Sequence, residues 1–157
     1  MSELEQRLEA LERRVRELGD ELELRNLMNR YGPAVDSGSG EAAGALYTDE
    51  CIYDSDGGPP MFGAKGVRDM VHGENHQAMM PNTAHAMGPS IVSIDGDRAV
   101  ATGYSRVYRR EGDEFRLWRL SANRWEFERR DGGWVISRRV NRLVGTDGAQ
   151  ELLKNPD

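Results

Sequence analysis

Thr83-Ala84-His85-Ala86-Met87-Gly88-Pro89-Ser90-Ile91-Val92-Ser93-Ile94-Asp95-Gly96-Asp97-Arg98-Ala99-Val100-Ala101 is the stretch whose reading decides the fold. Side-chain character changes with a period of two, and Asp95-Gly96-Asp97 then supplies a turn that glycine makes easy. The same device returns at Glu111-Gly112-Asp113 and at Asp131-Gly132-Gly133. The spacing predicts four strands over 83–94, 98–110, 115–129 and 134–144. Joined by short turns, they form an antiparallel meander.

Upstream of the meander the period is helical. Residues 3 to about 31 read as one long helix, and Leu4, Leu8, Leu11, Val15, Leu18 and Leu22 recur with spacings of four and three. That is a heptad seam, set among Glu and Arg. It either pairs between subunits or lies on its own domain. After Leu22 the apolar stripe widens through Leu24, Leu27, Met28 and Tyr31, as in a helix entering a core. Gly32-Pro33 perturbs this helix, because proline lacks an N–H and disfavours helix in the residue before it. Ser37-Gly38-Ser39-Gly40 breaks the chain. A short second helix over 41–47, a strand over 51–54, a two-residue strand at Met61-Phe62 and a third helix from 65 to about 80 follow. Residues 145–157 read as a loose tail.

Helices followed by a meander give an α+β fold: a cone-shaped barrel in which a curved, mostly antiparallel sheet wraps around helices. A pocket for a small apolar ligand is expected at the mouth of the cone. The chain divides into an N-terminal heptad extension (1–22), one folded domain (23–145) and a C-terminal tail (146–157).

Composition narrows the function. The chain has 157 residues, enough for one ordinary core, and a formal net charge of −6 that disfavours a nucleic-acid partner. A single cysteine, Cys51, excludes an internal disulfide and reads as a small core residue. The charged N-terminus is no secretory leader, and no apolar run approaches a membrane span of about 20 residues, so a cytoplasmic protein is expected. Phosphate-cradling glycine loops, a Gly-x-Ser-x-Gly elbow and Cys-x-x-Cys are absent from the sequence. His72 and His76 lie four apart on the third helix, but His72-Gly73-Glu74-Asn75-His76 is not the zinc-protease pattern, and neither a metal nor a cofactor is expected.

Three residues combine the means to move protons. Tyr31 and Asp36 stand five apart at the end of the long helix, and His85 opens the first strand of the meander. A carboxylate can orient an imidazole and a phenol can donate a hydrogen bond. Each has a plainer reading. Asp36 suits a turn, where its side chain bonds nearby backbone N–H groups; His85 and Tyr31 suit a core. Met87 shares the strand face of His85. Asn123 and Trp125 share a face of the third meander strand with Leu117 and Phe127, while Trp118 and Leu120 share the other. Arg138, Val140 and Arg142 share a face of the last strand. One of these faces lines the pocket, and the residues alone do not say which.

Four stretches carry a resemblance. They are Leu24 through Tyr31 with Asp36 and Glu41 through Tyr53; Phe62-Gly63-Ala64-Lys65-Gly66-Val67; Ile94 through Ala99; and Phe127 through Trp134. In this order and spacing they resemble SnoaL-like proteins of the nuclear-transport-factor-2-like superfamily. Within it the chain is most similar to bile-acid 7α-dehydratase- and scytalone-dehydratase-type lyases, whose Tyr, Asp and His are matched by Tyr31, Asp36 and His85. The resemblance implies a lyase with His85 as base and Asp36 as its partner. It departs at Arg106-Val107-Tyr108-Arg109, where the dehydratase has an acidic residue, and Arg142 matches that enzyme's strand arginine only within a register step.

The expectation is therefore a cofactor-independent dehydratase in which Asp36, His85 and Tyr31 act on a ring-bearing, hydrophobic small molecule held by Asn123, Arg142, Met87 and Trp125. An isomerase or cyclase on the same fold, or a non-catalytic ligand-binding or dioxygenase-β-like subunit, stands beside it. A homo-oligomer is expected, with a trimer favoured over a dimer by the resemblance.

Overall fold

The computed structural model describes residues 1–154. Helix α1 (Glu3–Asp36) starts at a capping box in which Ser2 and Glu5 satisfy each other's backbone N–H groups. Short α2 (Gly40–Gly44) follows, then β1 (Tyr47–Ser55), β2 (Met61–Phe62), α3 (Gly63–His72) and α4 (Glu74–Met79). The meander is β3 (Thr83–Asp95), β4 (Arg98–Glu111), β5 (Glu114–Arg130) and β6 (Gly133–Leu143), and α5 (Ala149–Leu152) closes the described chain.

The six strands form one sheet in the order β2-β1-β6-β5-β4-β3. β1 runs parallel to β6, and the other neighbouring pairs are antiparallel. The sheet is α+β and curved, as expected, but it does not close: β2 and β3 are its free edges. Leu24, Leu27, Met28, Tyr31 and Val35 of α1 pack with Tyr47 and Tyr53 of β1, Trp125 and Phe127 of β5 and Ile136 of β6 as one core.

Several expectations are corrected. α1 does not end at Tyr31 but runs through Gly32-Pro33 to Asp36, which carries Asp36 onto the sheet. Pro33 deprives the Asn29 carbonyl of its helical donor, and both residues line an open surface groove. The third helix is two, because Gly73 adopts an extended backbone (ψ 149°) between α3 and α4. The second helix is shorter than expected, and Tyr47 already belongs to β1. The tail is not wholly loose: α5 packs on β5 and β6 with Ala149 buried, while residues 155–157 lie outside the described residues. Of the two readings left open for the heptad seam, packing on its own domain is the one the structure does not show. All six of its apolar residues are between 49% and 76% exposed.

Candidate active site

The end of α1 meets the start of β3 at unusually short range. A Cβ on Gly32 would stand 2.1 Å from the carbonyl oxygen of His85, so only glycine lets the helix lie this close to the strand. One turn later Asp36 grips His85 twice. Its Oδ2 accepts the His85 backbone N–H (2.7 Å), and its Oδ1 lies 2.6 Å from the ring Nδ1. A carboxylate only accepts, so Nδ1 carries the proton, and in the neutral ring Nε2 keeps a lone pair. No side chain or backbone group among the described residues bonds that Nε2, and His85 forms part of the wall of a cavity of about 810 Å³.

Tyr31 stands edge-on to His85, with ring centroids 6.2 Å apart, and lines the same cavity. Burial pushes its hydroxyl well above the ordinary phenol range; Tyr53 adds to this and the Arg139 guanidinium opposes it. Tyr31 therefore remains a protonated donor at neutral pH. His76 adds a second imidazole, its ring centroid 6.2 Å from that of His85. The His76 Nε2 donates to the Val35 carbonyl at 2.7 Å, which leaves Nδ1 unprotonated in the neutral ring.

Sequence reasoning missed the charge at the centre of the site. Arg139 is 1% exposed, lines the cavity and has no carboxylate partner among the described residues. Its guanidinium lies over Trp125 (3.8 Å), Tyr31 (4.4 Å) and Tyr53 (4.5 Å), whose ring faces favour a cation. Nε and Nη2 donate to the Asn123 side-chain oxygen at 3.1 and 2.9 Å, and the Asn123 amide in turn donates to Ser105. Nη1 is buried without a partner among the described residues. Beside it, the Asn141 amide donates to the Tyr53 hydroxyl at 3.1 Å, while the Asn141 side-chain oxygen is likewise unpartnered.

Three of the expected contact residues are placed elsewhere. Trp125 lies in the core beneath Arg139 and does not line the cavity. Asn123 is buried behind the wall and orients Arg139 rather than a ligand. Arg142 points to the other side of β6, where the carboxylates of Asp54 (2.6 Å) and Asp56 (3.5 Å) hold it. Met87 does line the cavity, and its sulfur lies 3.9 Å from Arg139 Nη2. Trp118, expected opposite Asn123, also lines it: pairing jumps from Arg119 to Leu117 along β5, so Trp118 is an extra residue in a bulge. Cys51 is buried, and burial pushes its thiol up to about 11, so it is no nucleophile at neutral pH. Among the described residues no three His, Cys, Asp or Glu side chains cluster to hold a metal, and no helix is long and apolar enough to cross a membrane.

Comparison with known proteins places this geometry in a family. The model of the SnoaL-like domain matches residues 16–140. The crystal structure of an NTF2-like protein with a cystatin-like fold from Novosphingobium aromaticivorans is 38% identical, with a TM-score of 0.89 over 92% of this chain and 96% of that one. The type-3 hexachlorocyclohexane dehydrochlorinase LinA of Novosphingobium barchaimii shares the fold at 19% identity, with a TM-score of 0.70 over 82% of this chain and 88% of that one. A Mycobacterium tuberculosis protein of unknown function superposes with a TM-score of 0.74 at 20% identity, over 82% and 73% of the two chains. No curated protein sequence matches the chain.

Proposed function

The chain belongs to the SnoaL-like domain family, and from that premise we propose that it is a cytoplasmic, cofactor-independent lyase that dehydrates a ring-bearing small molecule. The observation that carries this reading is the 2.6 Å contact between Asp36 and the Nδ1 of His85 in a cavity wall, because it leaves Nε2 of the neutral ring free to accept a proton. The dehydrochlorinase among the structural relatives supports it by its name: elimination from a ring is chemistry this fold hosts.

In the proposed reaction His85 Nε2 takes a proton from a carbon next to a carbonyl. The C–H electron pair becomes the new carbon–carbon double bond, and the C–O bond to the β-hydroxyl breaks. The departing oxygen takes the proton back from the imidazolium and leaves as water. Asp36 holds the ring and faces the imidazolium while it exists. Tyr31 donates a hydrogen bond to the carbonyl or to the leaving oxygen. Arg139 brings a positive charge to the cavity wall, where charge develops on the carbonyl oxygen. General-base help of this kind supplies about 10²–10⁴ in rate, and holding the substrate against the base supplies much of the rest.

The test is a panel of ring-bearing β-hydroxy ketones incubated with the purified protein and read by mass spectrometry. The expected result is a product lighter by one water, abolished in folded His85→Ala and reduced about 10²-fold or more in Asp36→Asn. Full turnover in either variant overturns the mechanism. A product of unchanged mass identifies an isomerase or cyclase, and no product across the panel argues for a binding protein.

A further inference from the structure

Residues 3–22 of α1 take no part in the site, yet they carry six exposed apolar side chains in a strict heptad order. Leu4, Leu11 and Leu18 occupy d positions; Leu8, Val15 and Leu22 occupy a positions. From α1's start to Gly19 every residue is exposed, so this rod stands clear of its own domain. The rod is firmly begun by its capping box and anchored at its base by Leu24, which is fully buried in the core. A seam of this kind is left bare by its own chain.

We propose that this seam is an assembly surface that takes the same helix of a second copy, parallel and in register. The flanking charges choose the partner and its direction. Positions g are Arg7, Arg14 and Glu21, and positions e are Glu5, Glu12 and Gly19. Parallel pairing sets each g beside the partner copy's e five residues on, which joins Arg7 to Glu12 twice by symmetry and Arg14 to the neutral Gly19. No like charges meet. Antiparallel pairing of the same six layers sets g beside g and e beside e, so Arg14 would face Arg14 and Glu12 would face Glu12 at the centre of the coil. Its attractive pair, Arg7 with Glu21, would also compete with the 2.7 Å ion pair that Glu21 already makes with Arg25. Arg7 and Glu12, by contrast, form no ion pair within the chain among the described residues.

Single cysteines in the full-length chain test this directly, because the native Cys51 is buried and out of reach. Under mild oxidation at micromolar concentration, Leu8→Cys, on the seam, is expected to become a covalent dimer nearly quantitatively. Arg13→Cys, on the outer f position, is expected to stay monomeric on a denaturing gel. Light scattering of the unmodified protein is expected to give a multiple of the 17.6 kDa chain mass. Arg7→Glu is expected to weaken association about threefold or more, and Arg7→Glu with Glu12→Arg to restore it. A single-chain mass, equal crosslinking at positions 8 and 13, crosslinking only between Leu8→Cys and Leu18→Cys chains, or a double swap weaker than the single one would each overturn the proposal.

Discussion

Gly32 lies directly beneath His85: a Cβ at position 32 would meet the His85 carbonyl oxygen at 2.1 Å and its carbonyl carbon at 3.2 Å. Both are backbone atoms of a strand, so neither can rotate aside. This close approach sets the height of α1 over β3, and the Asp36 carboxylate reaches the His85 N–H and ring together because of it. The candidate base is thus positioned by a residue with no side chain.

Gly32→Ala reports on that relationship through the sign of its effect. In an ordinary helix interior the change stabilises by about 1 kcal/mol. Here overpacking against a strand is expected to cost about 1–3 kcal/mol, giving net destabilisation in urea unfolding. A base moved by about 1 Å is expected to lose about 10²-fold in turnover. A more stable Gly32→Ala protein with its activity intact would show that the helix has room to spare.

Much of this architecture was legible because local rules governed it. The three Asp/Glu-Gly turns fixed the meander, and the heptad spacing fixed the rod. Tyr31, Asp36 and His85 stood out by their spacing and by the resemblance that matches them, since carboxylates alone are common in this chain. What stayed hidden depended on tertiary contacts. Pairing jumps from Glu126–Arg138 to Phe127–Ile136, leaving Ser137 as an extra residue in β6. Such bulges, like the one at Trp118, shift which residues a strand presents to each face, and simple alternation cannot see them. Arg139 was overlooked because a buried arginine without a carboxylate has no sequence signature; its partners are three rings and an amide from three other elements. Arg142 has such a partner, and Asp54 and Asp56 draw it away from the cavity.

Alkaline pH is expected to weaken the fold before it weakens anything at the surface. Burial raises the Cys51 thiol from an ordinary value near 9 to about 11, and it raises the Tyr31 and Tyr47 hydroxyls above the phenol range near 10. Each group binds its proton more tightly folded than unfolded. Its contribution is complete below the unfolded value and is lost as pH rises through the folded one. Stability by chemical unfolding is therefore expected to hold up to about pH 9 and to fall above it. Cys51→Ala is expected to flatten the decline between about 9 and 11; an unchanged slope would mean the thiol ionises freely.

At the opposite end of α1's buried half, Asp20 fastens the helix to the sheet. It accepts from Arg129 at 2.8 Å and from the Trp134 indole at 3.0 Å, and the Arg129 guanidinium lies 4.3 Å from the Trp134 ring. The Arg129 hydrogen bond holds the Asp20 carboxyl below its ordinary value of 3.8. Its stabilisation is present above that value and is lost as pH falls below it. Asp20→Asn is expected to cost about 1 kcal/mol near neutral pH, with a smaller gap between the two proteins near pH 2.5. A gap of constant size would assign the effect to packing instead of charge.

Arg139 sets stability against function. A buried cation carries a desolvation cost, and replacing one by an apolar side chain of similar volume is often neutral or stabilising. Arg139→Met keeps a long chain among Tyr31, Tyr53 and Trp125 but removes the charge and leaves Asn123 one partner short. Thermal unfolding is therefore expected to change by no more than about 1–2 kcal/mol in either direction, the lost hydrogen bonds offsetting the relieved desolvation. Ligand recognition is expected to suffer much more. A substrate oxygen facing the Arg139 charge at the cavity wall would lose a charge-assisted interaction worth about 1.5–3 kcal/mol, or about 10- to 100-fold in affinity or turnover. Arg139→Lys separates charge from shape, because an ammonium keeps the charge but cannot reproduce the planar fork that Asn123 and the rings hold. Titrating ring-bearing ketones against the three proteins by tryptophan fluorescence reads both effects. Equal affinity in all three would exclude Arg139 from ligand binding, while loss in Arg139→Met with partial recovery in Arg139→Lys places the charge at the ligand's oxygen.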